Sequence, residues 1–218
     1  MRIVMLLLLF MLASCSTIPP YQGPESFSAK DLTEGGYITG SIAINLRGKY
    51  RSPFSRQQLY FNKVGSDEQG RLTYASDSLY NTPTEFKVAG GKGSTFSALL
   101  KPGNYELTGV SFYFNNGQYE KNFWNRKTFS IPFRVEQGKT IYLGSFTVHG
   151  VWRKNFLGIP VIAGGFFVNQ QAAERDYPII NMNTGVPADS IAPYRLMING
   201  TAKSFIRTSK PANNNEPQ

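Results

Sequence analysis

The chain has 218 residues, a formal net charge of +9, 14% aromatic residues, one cysteine and one histidine. A lone cysteine excludes an internal disulfide framework, and a lone histidine excludes the two-histidine zinc helix and other multi-histidine metal centres. With 16 Phe, 12 Tyr, 21 Gly and 13 Pro, the composition describes a basic, strand-prone chain able to bury a large core without covalent staples.

In chain order, Arg2 precedes an unbroken apolar run from Ile3 to Ala13. That run is too short for a bilayer-spanning helix, which takes about 20 residues. A charged start, a short apolar centre and small residues at the cut make a secretory signal. Leu12-Ala13-Ser14-Cys15 resembles the lipobox of bacterial lipoproteins. The resemblance implies cleavage between Ser14 and Cys15, acylation of Cys15 and export. Each buried acyl CH₂ contributes about 0.8 kcal/mol, so two or more chains anchor stably. Ser16 stands where an aspartate would resemble an inner-membrane retention signal, which implies the outer membrane and its periplasmic face. The expected organisation is a signal peptide over 1–14, an acylated tether over 15–35, a β-domain over 36–207 and a disordered tail over 208–218. Pro19, Pro20, Gly23 and Pro24 suit the tether, and the polar, Pro- and Asn-rich end suits the tail.

Alternation of apolar residues predicts strands over Tyr37–Leu46 (Ile38, Ile42, Ile44 and Leu46 on one parity), Gln57–Val64 and Arg71–Ala75. Gly40 marks a bulge or close approach in the first. Thr84–Val88 and Thr95–Leu100 flank a glycine-rich turn at Gly90-Gly91-Lys92-Gly93. Pro102-Gly103 suits the centre of a type II turn, and Tyr105–Phe114 switches its buried parity at Gly109. Asn116-Gly117 predicts a hairpin. Thr128–Val135, Ile141–Val148 and Pro160–Val168 complete the strong strands. Asn169 is placed to cap a short helix over Gln170–Asp176, ended by Pro178. Asp189 is placed to cap a brief turn before Pro193. A last hairpin is predicted about Asn199-Gly200, between Leu196–Ile198 and Lys203–Ile206.

Short strands at regular spacing predict an all-β, antiparallel β-sandwich with one or two short helical turns near the C-terminus. Leu100-Lys101-Pro102-Gly103-Asn104-Tyr105 is similar to the L-x-P-G-x-Y turn of transthyretin-like, carboxypeptidase-regulatory-like β-sandwiches. Phe133-Arg134-Val135 and Gly138-Lys139-Thr140-Ile141-Tyr142-Leu143-Gly144 resemble the hairpin that follows in that group. The resemblance covers about Phe86 to Val148. It implies a fold and a non-enzymatic role, and it names no ligand and no cofactor.

For catalysis, any Ser–His–acid triad has to use His149, and no G-x-S-x-G nucleophile elbow accompanies it. The stretch Gly90–Thr95 lacks the spacing and the Lys-Ser/Thr pair of a phosphate loop. Glu174 and Asp176 are the nearest approach to a paired carboxylate, beside Arg175. The expectation is a protein that is not an enzyme and needs neither metal nor cofactor, with a hydrolase through His149 as the remote alternative.

Charge and aromaticity point to binding. Arg47, Lys49, Arg51, Arg56 and Lys63 follow one another with no acid between them. From Lys121 to Lys154 come Lys121, Arg126, Lys127, Arg134, Lys139, Arg153 and Lys154 against Glu136 alone. Such clusters attract polyanions in a salt-dependent way, unless they are solubilising charges on separate loops. In an envelope the polyanions are lipid headgroups, lipopolysaccharide phosphates and cell-wall carboxylates, not nucleic acid. The hairpin Ser111–Trp124 carries aromatics on both faces, so one face is either covered by the Trp152–Phe156 stretch or offered to a protein or glycan. Tyr113, Tyr119 and Trp124, with Lys121, Arg126, Lys127, Arg153 and Lys154, are therefore the candidate binding residues. The leading expectation is a lipid-anchored, non-catalytic envelope-binding protein, with a salt-sensitive polyanion-binding module as the alternative.

Overall fold

A computed structural model describes residues 29–48, 51–76, 82–88, 90–125, 127–154 and 160–208. Ser14, Cys15, most of the tether, Arg126 and nearly all of the C-terminal tail lie outside the described residues. So do the side chains of Arg153 and Lys154.

The first described element is a helix, α1 (Ala29–Glu34), at the end of the stretch assigned to the tether. Gln137 donates through Nε2 to the Thr33 carbonyl at 2.5 Å, and Gly138 N–H donates to Gly35 O at 2.9 Å, so α1 is docked on the folded body. Twelve strands follow among the described residues: β1 (Gly36–Asn45), β2 (Arg56–Lys63), β3 (Gln69–Ala75), β4 (Phe86–Val88), β5 (Gly91–Leu100), β6 (Gly103–Asn115), β7 (Glu120–Trp124), β8 (Ile131–Val135), β9 (Thr140–Lys154), β10 (Pro160–Asn169), β11 (Ile191–Pro193) and β12 (Ile206–Thr208). A second helix, α2 (Ala173–Thr184), lies between β10 and β11. The protein is predominantly β, as its composition predicts.

The strands form two sheets. A seven-stranded sheet runs β12-β10-β9-β1-β5-β4, with β11 also on β9. A five-stranded sheet runs β3-β2-β6-β7, with β8 also on β6. Both long strands divide a neighbouring edge between two partners: β6 pairs with β8 over Gly103–Leu107 and with β7 over Ser111–Asn115. The register of β2 against β6 shifts between Tyr60 and Phe61, opposite Gly109 and Leu107, which is the expected parity switch. On β9, Ser41 pairs with Ser145 while Thr39 pairs with Tyr142, so the expected irregularity sits opposite Gly40. Gly144 takes it up at φ 123°, a backbone region that suits glycine.

Four features depart from the sequence expectations. The larger sheet is mixed, not antiparallel: β1 pairs with β9, β10 with β12, and β11 with β9, all in parallel. Alternation marks a strand and says nothing of its direction. Pro178 lies inside α2, and the helix continues to a left-handed Gly185 cap. Proline forfeits one helical hydrogen bond, but Ile180, fully buried beyond it, packs with Tyr142, Val186 and Ile191 and holds the next turn in place. The predicted last hairpin is absent: Gly200–Ser204 is a 3₁₀ turn, and the strand after it pairs with β10. At the glycine-rich turn, Gly91, Lys92 and Gly93 belong to β5. A Cβ on Gly93 would stand 2.6 Å from Phe86 Cζ.

One buried cluster joins both sheets. Ile38, Ile42 and Ile44 of β1 meet Leu59, Phe61, Leu107, Val110 and Phe112 of the smaller sheet, whereas Leu46, beyond the strand end, is 40% exposed. The Phe112 and Phe166 ring centroids are 5.2 Å apart across the two sheets. Gly164 makes room for this contact: a Cβ there would lie 2.7 Å from Phe112 Cδ2 and 2.8 Å from Phe54 Cε2. Burying one such ring contributes about 1.5–3 kcal/mol.

Candidate functional site

Each sheet has an outward face, and the two are finished differently. On the larger sheet α2 covers the outer parity of β1 and β9. Asp176, at 0% exposure, accepts from Ser41 Oγ at 2.7 Å and Tyr142 Oη at 2.6 Å. Its other oxygen accepts from Arg175 Nε at 2.7 Å, and Arg175 Nη2 reaches Ser145 Oγ at 2.9 Å. The Arg175 guanidinium lies 3.8 Å from the Phe86 ring centroid. Burial, followed by the Asp176 charge, pushes the Tyr142 phenol far above its ordinary pKa, so it stays a donor. This network ties helix to sheet. Glu174 is exposed while Asp176 is sealed, so the two carboxylates seen side by side in the sequence do not face a common site.

The outer face of the smaller sheet carries no helix among the described residues. Its floor is nonetheless buried and polar: Gln58 is 8%, Tyr60 5% and Ser111 3% exposed. Gln58 Oε1 accepts from Tyr60 Oη at 2.7 Å and from Ser111 Oγ at 2.8 Å, while Gln58 Nε2 donates to Thr73 Oγ1 at 3.2 Å. Side chains standing above this floor come from β2, β3, β6 and β7. Trp124, 57% exposed, leans on Tyr60 with ring centroids 5.3 Å apart. Arg71 pairs in register with Tyr60 from β3, and its Nε is buried with no hydrogen bond. The Arg56 guanidinium lies 4.8 Å from the Tyr113 ring centroid. Tyr113 Oη donates to Glu120, a bond that raises the phenol's pKa.

Local sequence positions these groups. Asn125 accepts from Val110 N–H at 3.0 Å and donates to Thr108 O at 3.4 Å, filling the bulge at Gly109 and fixing the end of β7 where Trp124 stands. At the other end of the hairpin, Asn115 and Asn116 accept from the N–H groups of Gly117, Gln118 and Tyr119. The turn is a four-residue loop over 116–119, closed by Asn116 N–H on Tyr119 O.

The hairpin's predicted residues divide between two faces. Tyr113 and Trp124 share the outer face. Lys121, 5.3 Å from the Phe123 ring centroid, belongs to the opposite parity, and Tyr119, in the loop, packs beside Phe114 of that parity with ring centroids 6.4 Å apart. Lys127 is exposed on the loop after β7, and the backbone of Arg153 and Lys154 belongs to the larger sheet. The basic stretches disperse as well: Lys63 lies 3.9 Å from Glu68, and Arg134 pairs with Glu136 at 3.7 Å. Among the described residues of the Arg47–Lys63 stretch, Arg56 is the one placed on the aromatic face. The sequence reading missed Gln58, Tyr60, Arg71, Thr73 and Ser111. Their signal was the second parity of β2 and β3, where polar and aromatic residues alternate with Leu59, Phe61 and Leu72.

His149 is 8% exposed, with its ring centroid 4.1 Å from that of Phe167. Burial, aided by the Arg207 charge, lowers its pKa to about 4, so the imidazole is neutral over most of the pH range. The Gly165 position accommodates the ring, since a Cβ there would stand 2.7 Å from His149 Cε1. Near it, a cleft of about 590 Å³ gathers Arg195, Lys203 and Arg207 around Leu196 and Met197. Among the described residues no group of His, Cys, Asp and Glu is placed to hold a metal, and no helix is long and apolar enough to cross a membrane.

No family model matches the chain, and no curated protein does. Among solved structures it is similar to a leucine-rich repeat protein from Bacteroides thetaiotaomicron, at 12% identity and a TM-score of 0.33. The match covers 52% of this chain and spans 14% of that one, and a superposition so partial carries no argument.

Proposed function

We propose that this protein is a lipid-anchored, non-catalytic binding protein of the bacterial cell envelope, a β-sandwich held at the outer membrane through Cys15. Leu12-Ala13-Ser14-Cys15 supports the anchor, and the single cluster shared by the two sheets supports the sandwich. The outer face of the five-stranded sheet is the binding surface in this reading. The observation that carries it is Trp124: a large apolar ring, more than half exposed, held by Tyr60 over a buried polar floor. An aromatic kept in solvent on a pre-ordered support presents contact area at little entropic cost.

The test is photo-crosslinking in intact cells from a probe replacing Asn122, an exposed position on the Trp124 parity. Adducts from this position, and none from Tyr119 on the opposite parity, are expected. Equal adducts from both would overturn the surface assignment. Metabolic labelling with a fatty acid tests the anchor, and label surviving in Cys15→Ser would refute it.

A second reading, salt-sensitive polyanion binding, draws support from the cleft that gathers Arg195, Lys203 and Arg207. It predicts retention on anionic polymers that falls steeply as salt rises, with loss on replacing all three cations by Gln. Salt-indifferent retention counts against it.

A further inference from the structure

We infer that the cleft beside β12 receives the phosphomonoester headgroup of a single lipid, its phosphate on Arg195, Lys203 and Arg207 and the first methylenes of its chains against Met197 and Leu196. The inference rests on the reading of this cleft as an anion site and names the ligand.

Three observations carry it. First, the cations are gathered and uncommitted. Arg195 follows β11, Lys203 sits in the Gly200–Ser204 turn and Arg207 in β12, yet all three line one cleft of about 590 Å³ with no acid among its described lining residues. Elsewhere Lys63 and Arg134 face carboxylates at 3.9 and 3.7 Å, whereas no carboxylate among the described residues pairs with these three. Arg207 donates through Nε to the Lys203 carbonyl at 3.1 Å, which holds the guanidinium in place and keeps both Nη groups for a ligand. Arginine meets phosphate through parallel N–H donors in charge-assisted bonds.

Second, the core beneath holds the site in shape. Each cation adjoins a buried residue in sequence: Arg195 is next to Leu196, Lys203 to Ala202 and Arg207 to Ile206. All three neighbours belong to the cluster shared by the two sheets. Gln170 Nε2 donates to Tyr194 O at 2.5 Å and fixes the backbone just before Arg195. A backbone ordered in advance lowers the entropic cost of binding.

Third, the cleft is part apolar, and this separates a lipid from a soluble polyanion. Met197 is 63% exposed beside the cations, and Leu196 forms a buried wall. An anionic polymer has no apolar group for an exposed thioether, while a lipid carries methylenes next to its phosphate. The volume suits one headgroup, since small-ligand sites run to about 300–1,000 Å³. Charge then selects the headgroup. A phosphomonoester carries about −1.5 to −2 charges near pH 7 and three acceptor oxygens, a better match to three cations than the single charge of a phosphodiester.

The experiment follows the five methionine methyl groups of the full chain by NMR, in an uncharged detergent. Dihexanoyl phosphatidic acid, dihexanoyl phosphatidylglycerol and inorganic phosphate are the titrants. Met182, exposed on α2 and outside the cleft, reports non-specific partition. Saturable movement of Met197 with Met182 unmoved is expected for phosphatidic acid, with affinity about tenfold above that of phosphatidylglycerol and of inorganic phosphate, the latter read by displacement. Arg195→Gln and Lys203→Gln, both at exposed positions, should each weaken phosphatidic acid about tenfold, and circular dichroism establishes that each variant is folded. Met197 and Met182 moving together would overturn the site. Equal affinity for the two lipids would overturn the phosphomonoester, and phosphate as tight as phosphatidic acid would overturn the lipid. If Met197 stays still while replacing all three cations by Gln abolishes retention on anionic polymers, this inference falls and the polyanion reading stands. If neither is seen, both fall.

Discussion

The outer faces of the two sheets pose the same problem and solve it in opposite ways. Each carries serine and tyrosine on a parity that a strand would ordinarily give to water, with an arginine beside them, Arg175 from α2 on the larger sheet and Arg71 from β3 on the smaller. On the larger sheet α2 descends over them, and every polar group of the Asp176 network finds a partner inside the protein. On the smaller sheet the floor is satisfied in the same manner, but its cover is a set of side chains, with Trp124 left more than half exposed. A network sealed under a helix can specify architecture and can do little else, since no ligand reaches it. A network of similar chemistry beneath an exposed aromatic is the surface we propose for recognition. Chemical composition alone would not separate the two; access does.

The comparison predicts effects of different size and kind. The largest is on stability. Asp176→Ala leaves Arg175, Tyr142 and Ser41 without their shared acceptor, and a cost of about 3–5 kcal/mol is expected in chemical denaturation. A cost below about 1 kcal/mol would mean that the helix is not held this way. Next, Gly164→Val forces a branched side chain against Phe112 and Phe54, and about 1–3 kcal/mol of destabilisation is expected from overpacking.

On the open face the ranking reverses. Trp124→Ala removes one ring contact, about 0.5–1.5 kcal/mol of stability, while envelope binding is lost. Comparable losses of stability from Asp176→Ala and Trp124→Ala would erase the distinction drawn here.

The last effect is on pH dependence. Buried His149 has a folded pKa of about 4 against an unfolded value near 6.5, so the unfolded chain binds the proton first. Stability from this group is present above about pH 6.5 and is lost as pH falls towards 4, by on the order of 3 kcal/mol. His149→Phe should flatten that part of the pH–stability curve relative to the wild type. Loss of a hydrolytic activity in His149→Ala would instead revive the catalytic alternative.

Much of the fold was legible because the relevant forces are local. Alternation located β1, β2, β6, β8 and β9, and Gly40 and Gly109 marked register shifts that the pairing shows. What escaped depends on partners far along the chain. Nothing near Tyr37–Asn45 says that β9, a hundred residues away, runs parallel to it. Pro178 reads as a helix stop until Ile180 is seen buried against Tyr142. The binding face was half legible. Parity correctly separated Tyr113 from Phe112 and Phe114, but Tyr119 was grouped with Tyr113 because a turn hides which side its residues reach. Gln58 and Ser111 are unremarkable strand residues until the β2–β6 register brings them within 2.8 Å.

The central claim is that the open face, and not the sealed one, engages the envelope. The most direct test removes the anchor's contribution with Cys15→Ser and measures co-sedimentation of the chain with isolated envelopes. Trp124→Ala is then compared with Met182→Ala, which alters a 78% exposed apolar side chain on α2. The account predicts that co-sedimentation falls sharply in Trp124→Ala and is unchanged in Met182→Ala. Loss confined to Met182→Ala, or equal retention of both variants, would contradict it.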